Sequence, residues 1–412
     1  MVEIANPAAV PRASVKDMVG PRPPATASPD RDALAPLTAV ATNEWHELAQ
    51  RAVEPNGYYL PGWELAVNAC APGRTGVSAL TAWSEPSSAQ DHAMRLIGLM
   101  PVISMWRACK IPLPALVSAS PYGTLCTPLL DREMAGDAAA RLMRAARRAG
   151  AHALILRDVS LDGAAIQAFN EILRQGGMRP LVLRSHLRAC LDATREADGL
   201  LREALGAKKL KELRRQRHRL AEHGALRFDV ARRPEEVAAA IETFLTLEAS
   251  GWKARRGTAL MQDAGNASFV RRATRALAET GQCEIATLWA GETPVAAAIL
   301  LRHRDRAFYF KLGVDERFAK LSPGVQLTLD LTRHLCADPA IASADSTASA
   351  DHPMINPIWR GRFKIGDVVI PLRQRDPMVP LIHAAMILRR LVRESARRVL
   401  AGSRPANGRI TT

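Results

Sequence analysis

No stretch of the chain approaches the roughly 18 uninterrupted apolar residues that a membrane-crossing helix needs. Residues 1–40 also lack the apolar core of a secretory leader, because Glu3, Lys16, Asp17, Asp30 and many prolines interrupt them. The two absences predict a cytoplasmic protein whose first 40 residues form a disordered arm. Paired cysteines are missing too: Cys70, Cys109, Cys126, Cys190, Cys283 and Cys336 are scattered with no CxxC spacing, so neither a zinc knuckle nor a disulfide framework is indicated. The six are expected to be reduced thiols. The ten histidines include no HExxH, and no metal is predicted. There is no GxxxxGK[ST] loop, no GxGxxG after a strand and no GxSxG elbow, so NTPase, dinucleotide and hydrolase readings lose support. Aromatic residues make up only 5% of the chain, which weighs against base stacking and a nucleic-acid partner.

What is present is a globular chain with a surplus of positive charge. Its 412 residues, 48% hydrophobic, can bury two cores. The formal charge of +15 is concentrated in Lys208 to Arg219 and in the segment from Arg389 to Arg409. In the first, Leu210, Leu213 and Leu220 recur at helical spacing and Lys209, Lys211, Arg214, Arg215 and Arg219 decorate the rest. Such a face serves as a solvated surface, an anion site or a nucleic-acid contact. The second is an amphipathic helix, apolar at Leu381, Ile382, Ala385, Ile387, Leu388, Leu391 and Val392, able to dock on its own domain or to lie on the inner face of an anionic membrane. Docking on its own domain is the expectation.

Hydrophobic periodicity divides the chain into two similar halves. In the first, residues 43–52 and 63–69 read as helices and 77–83 with 94–102 as a hairpin-like strand pair. Pro-rich irregular chain follows through Pro128, then helix 135–149, strand 153–157, helix 162–175 and strand 179–191. The second half opens with the basic helix and strand 226–230. Helices 234–250 and 266–280 come next, then three successive strands at 283–290, 294–303 and 307–312 with turns at Gly291 and Arg304-Asp305. A helix from Ser322, a strand near 341–348 and a last strand at 368–372 complete it. The fold class is α+β, with a switch from antiparallel to parallel pairing. The expected boundaries are 1–40, 41–195, 196–375 and a basic helix with tail over 376–412.

The most informative segment is Arg306 to Val325, RAFYFKLGVDERFAKLSPGV, a strand that passes through a basic turn into a helix start. Ser322 suits the N-cap, Pro323 the first helical position, and Gly324 lets a ligand approach the backbone. The amides of a helix N-terminus, with Lys320 just ahead, form an anion site suited to a pyrophosphate.

Two segments, FLTLEASGWKARRGTAL (Phe244 to Leu260) and AFYFKLGVDERFAKLSPGVQLTLDL (Ala307 to Leu331), resemble the CelD/FemAB-like branch of the GNAT N-acyltransferase superfamily. WHELAQRAVEPNGYYLPGWELA and RLIGLMPV in the first half resemble the degenerate partner domain of that branch. The resemblance implies two tandem GNAT-like domains, each a mixed antiparallel and parallel sheet flanked by helices, with the catalytic site in the second. The phosphate turn is poorer in glycine than in most of the superfamily. His352, Pro353 and Trp359 stand where relatives carry a Tyr-Lys element.

On this reading acetyl-CoA, or another acyl-CoA, is the co-substrate. Its thioester lies along Leu312, Gly313 and Val314, and its pyrophosphate at Lys320, Leu321, Ser322, Gly324 and Val325. The acceptor is an amine on a small molecule, sugar or cell-envelope precursor, bound between the halves. Amine acylation needs a proton acceptor and donors toward the developing oxyanion. Glu248 lies on the stripe Val237, Ile241, Leu245, Glu248, Trp252 and is read as the base, or as a helix-end Glu paired with Lys253 or Arg255. Trp252, Lys253 and Asp345 are candidates for substrate binding, Trp252 equally a core aromatic. The segment Asp345, Ser346, Thr347, Asp351, His352 is expected where strands splay, with Asp351 orienting His352 as base, or capping a loop beside a surface imidazole. Tyr309 is a candidate acid toward the leaving thiolate. Direct transfer is favoured over an acyl-cysteine. Two alternatives stay open: aminoacyl transfer from charged tRNA, which would employ the basic helix, and a CoA- or anion-binding protein without catalysis.

Overall fold

A computed structural model describes residues 34–85, 94–251 and 257–402. The first half runs β1 (Leu34–Pro36), α1 (Thr42–Arg51), α2 (Pro61–Cys70), β2 (Ser78–Trp83), β3 (Leu96–Ser104), α3 (Met105–Cys109), β4 (Ala115–Ser118), β5 (Leu129–Leu130), α4 (Ala135–Arg148), β6 (Ala153–Ser160), α5 (Ala164–Gln175) and β7 (Leu181–Asp192). The second runs α6 (Ala197–Ala221), β8 (Leu226–Ala231), α7 (Pro234–Ala249), α8 (Ala264–Ala278), β9 (Cys283–Ala290), β10 (Thr293–His303), β11 (Arg306–Val314), α9 (Pro323–Ala337), β12 (Ser343–Asp345), β13 (Gly361–Pro371) and α10 (Met378–Gly402). The α+β class stands.

Among the described residues the strands form one continuous sheet in the order β1-β2-β3-β4-β6-β13-β7-β12-β11-β10-β9-β8, with β5 attached to β3. Each half contributes an antiparallel meander that ends in one parallel pair, β4 with β6 and β11 with β12. The next strand in each case comes from the other half. β13 lies antiparallel to β6, β7 lies antiparallel to β12, and β7 and β13 pair with each other at the centre. Residue 195 is therefore a turning point of the chain and not a cut between two sheets.

Burial on both faces explains the composition of the central strands. Val295 to Leu301 in β10 are all buried, since helices cover the sheet on either side, and the strand reads as a continuous apolar run. A core shared by the halves gathers Trp45, Tyr58 and Trp63 with Phe244, Phe269 and Phe308. Trp63 meets Phe310 and Phe269 edge-on at centroid distances of 4.7 and 5.1 Å, and its indole N–H donates to the Pro121 carbonyl. A buried aromatic of this kind contributes about 1.5–3 kcal/mol.

Four expectations need correction. Residues 34–40 belong to the fold, β1 pairing with β2, while residues 1–33 of the expected arm lie outside the described residues. The Pro-rich stretch through Pro128 is not wholly irregular, because β4 forms between the prolines at 114 and 121 where a Val-Leu run can pair. The last strand begins at Gly361, whose Cβ position is occupied by the Cys190 backbone of β7. The basic helix is longer than expected and kinks at Gly206 (φ 70°, ψ 164°).

Glu284 on β9 sits buried among Arg302, Arg232 and His334, with the His334 Nε2 3.0 Å from its carboxylate. Burial raises its pKa, yet His334 and Arg302 together bring it down to about 2. A carboxyl depressed in the folded state stabilises above its unfolded value and loses that contribution as pH falls through the folded one. The stability gap between the parent and Glu284→Gln is therefore expected to close between pH 4.5 and about 2, by roughly 3 kcal/mol, in urea titrations at stepped pH.

Candidate active site

The pairing of β11 with β12 lasts only from Arg306↔Ser343 to Phe308↔Asp345. Beyond it the two chains part: the Ser346 amide donates to Ala189 of β7, and Thr347 turns with φ 50°. The opening is a pocket of about 390 Å³, walled by β11 from Tyr309 to Val314, the end of α7, Thr347 and the turn at His352. The splayed strands expected from the sequence are present.

Glu248 continues the buried stripe of α7 formed by Val237, Ile241 and Leu245, and reaches the pocket wall where the helix ends. Gly313 permits this approach, because a Cβ there would lie 3.0 Å from the Glu248 amide nitrogen. Glu248 is 2% exposed. Its Oε2 accepts the Leu260 amide at 2.7 Å, and its Oε1 lies 3.6 Å from the Lys311 ammonium. The carboxylate thus faces Lys311 across the pocket floor. Sequence reading overlooked Lys311, although a lysine inside an aromatic strand is itself a signal. Lys253 and Arg255, the expected alternative partners, lie outside the described residues, as does Trp252.

His352 lines the same pocket, half-buried, and burial lowers its pKa below the ordinary histidine value. Its Nδ1 accepts the Ile355 amide in a long bond of 3.4 Å, an assignment that leaves the proton of the neutral ring on Nε2. An imidazole arranged this way presents a donor to the pocket. Asp351 does not orient the ring: it is exposed, and the Ile355 amide holds that position. Tyr309 lines the pocket with its body, but its hydroxyl is buried against Thr328 Oγ1 at 3.3 Å, and burial pushes its pKa up to about 12. It is held on the α9 side, beside Trp359.

Thr347 is fixed from three directions. Its Oγ1 donates to the Tyr309 carbonyl at 2.6 Å, its amide donates to Asp345 Oδ1 at 2.7 Å, and its carbonyl accepts from Thr124 Oγ1 at 2.9 Å. A β-branched residue at positive φ persists only when its surroundings impose it. Thr124 belongs to the first half, so that half shapes the mouth of the site. Asp345, expected to bind substrate, is 2% exposed and is taken by Arg188 of β7 at 3.3 Å. It supports the strand end instead.

The segment expected to hold the pyrophosphate is placed less openly. Residues Glu316–Leu321 form a 3₁₀ turn, and Ser322 stands at the N-cap of α9 with φ 54° and no side-chain cap. Gly324 is buried: a Cβ there would meet Leu312 Cδ2 at 2.9 Å and Val314 Cγ1 at 3.0 Å. Its lack of a side chain serves packing against β11 and not ligand approach. Leu312, Gly313 and Val314 line the pocket, whereas Lys320, Leu321, Ser322, Gly324 and Val325 do not. Of these, Lys320 is exposed and Leu321, Ser322 and Val325 are half-buried.

Residues 207–352, which contain the walls that α7 and β11 give this pocket and reach His352, match the acetyltransferase (GNAT) domain family. The second half carries a GNAT acyltransferase domain. No curated protein matches the chain. Among solved structures this chain is similar to FemX, with a TM-score of 0.54 at 12% identity over 84% of this chain and 98% of FemX. It is also similar to L-PGS from Bacillus licheniformis (TM-score 0.44, 12% identity, 82% and 98% covered) and to a tandem GNAT protein from the clavulanic acid biosynthesis pathway (0.39, 15%, 83% and 99%). The likeness to FemX spans both halves and concerns the fold. Among the described residues no His, Cys, Asp and Glu cluster could hold a metal ion.

Proposed function

We propose that the GNAT domain transfers an acyl group, acetyl first, directly from CoA to an amine, and that the chain stands in the CelD/FemAB-like branch of the superfamily. The observation that carries this is the pocket at the splay of β11 and β12, with a carboxylate at its floor and an imidazole at its wall. The thioester runs along Leu312 to Val314. Glu248 takes the proton from the acceptor's ammonium, the freed amine attacks the thioester carbon, and as the C–S bond breaks the His352 Nε2–H donates to the developing oxyanion or the departing thiolate. The nucleotide leaves the pocket toward exposed Lys320 at the start of α9. The amine, on a sugar or envelope precursor, enters beside Tyr122, whose ring lies 4.8 Å from Phe269 and 6.4 Å from Phe310.

Calorimetric titration with acetyl-CoA and with CoA tests the donor. Lys320→Glu is expected to weaken both about tenfold or more, the worth of one charge-assisted phosphate contact. Equal affinities in the parent and the variant would remove the nucleotide from this end of α9.

A second reading, aminoacyl transfer from charged tRNA, is favoured by one observation. Lys208, Lys209, Lys211, Arg214, Arg215 and Arg219 of α6 are all exposed. Turnover with aminoacyl-tRNA that falls steeply with salt, and none with acetyl-CoA, would select it.

A further inference from the structure

The helix α6 is bent, and the bend opens a cavity. Gly206 holds φ 70° and ψ 164°, a region that residues with side chains scarcely visit, and it turns α6 so that both arms meet α9. A Cβ at this position would meet nothing within 4 Å, so the glycine is there for the bend and not for room. Between the two arms and α9 lies a cavity of about 150 Å³. Leu201, Leu210, Leu213 and Leu329 floor it, and Arg202, Arg214, Arg217 and Arg333 stand around them with one carboxylate in the wall, Asp198. The spacing of Leu210, Leu213, Arg214 and Arg217 puts this face of α6 away from Lys211, Arg215 and Arg219. On α9, likewise, Gln326 and Arg333 line the cavity while Gly324 and Thr328, on the other side of the helix, pack toward β11. The cavity is separate from both the basic surface and the transfer pocket.

Two of the four arginines are fixed in place. Asp330 accepts from Arg217 at 2.8 Å and from Arg333 at 3.2 Å, and Arg333 also reaches Asp198 at 2.9 Å. Arg202 lies 3.7 Å from Glu196, whose carboxylate already accepts the amides of Asp198 and Gly199. Among the described residues no carboxylate lies within 4 Å of Arg214. Four cations in so small a space repel one another, and the carboxylates at hand do not answer all of them. We propose that this cavity binds the phosphate group of a small phosphomonoester, with Arg202 and Arg214 reaching it from the two arms of α6 and the pinned Arg217 and Arg333 completing the cradle. Guanidinium forks match phosphate oxygens, and several that converge suit a dianion, whereas one fork would satisfy a lone carboxylate. At about half the volume of the smallest ordinary ligand pocket, the cavity takes the charged group and leaves the rest of the molecule outside. The assignment does not depend on the acyl-transfer reading.

The test is calorimetric titration of the full chain with inorganic phosphate and with ribose 5-phosphate, against chloride at the same ionic strength. Both phosphates are expected to bind at one site per chain. Arg202→Ala with Arg214→Ala, two exposed positions and so compatible with the fold, should weaken both at least tenfold and leave the circular dichroism spectrum unchanged. Gly206→Ala, for which there is room, is expected to straighten α6 and to weaken phosphate by a similar factor although every arginine remains. Undiminished binding by the arginine variant, or heats no larger than those of chloride, overturns the proposal. So does a chain that binds single-stranded RNA through Arg202 and Arg214 and takes up neither small phosphate.

Discussion

Arg188→Ala is expected to destabilise the protein by about 3–5 kcal/mol, read as a lowered urea midpoint. Arg188 is 1% exposed. One arm lies 3.3 Å from Asp345 and the other donates to the Thr124 carbonyl at 2.7 Å. Removing the guanidinium leaves the Asp345 carboxylate in a dry interior with only the Thr347 amide to support it, and that stranded charge is the larger part of the cost. Replacing both partners with apolar residues, as in Arg188→Met with Asp345→Leu, should recover most of the loss, because the interior then holds no charge to solvate. A double variant as unstable as the single one would mean that Arg188 acts chiefly through Thr124. Transfer activity should stay low in either case, since Asp345 no longer pins Thr347 at the pocket mouth.

Glu248→Gln is expected to lower kcat/KM for the amine by about 10²–10³ while the KM for acetyl-CoA changes little. The substitution keeps the shape of the side chain and an oxygen for the Leu260 amide, so the fold should hold. What it removes is the capacity to accept a proton opposite Lys311. A rate within threefold of the parent would assign proton removal to water.

How much of this was readable beforehand depended on the range of the interaction involved. The helices and the meander from Cys283 to Val314 follow from local periodicity, and Glu248 could be placed on the inner stripe of α7 by counting 3.6-residue turns. The splay was expected from the family resemblance, which put Asp345 to His352 at the end of the next strand. The partners were not. Lys311 opposite Glu248, Arg188 behind Asp345 and Thr124 above Thr347 are juxtapositions made by pairing between distant strands, which spacing along one segment does not encode. Gly324 was misread for a related reason: its sequence context suits a ligand turn, while its neighbours in space are Leu312 and Val314. His352 was found, but its role depended on which ring nitrogen the Ile355 amide occupies.

The exchange of β7 and β13 has a bearing on how such a chain can change over time. Because the half without the pocket completes the sheet of the half that has it, deleting one would strip the other of a central neighbour and leave backbone amides and carbonyls open to chance partners. Natural variation can therefore erode the surface of the first half, reshape its loop at Tyr122 and Thr124, and so retune what enters the site. It cannot discard that half, which persists as a hostage of the chemistry beside it.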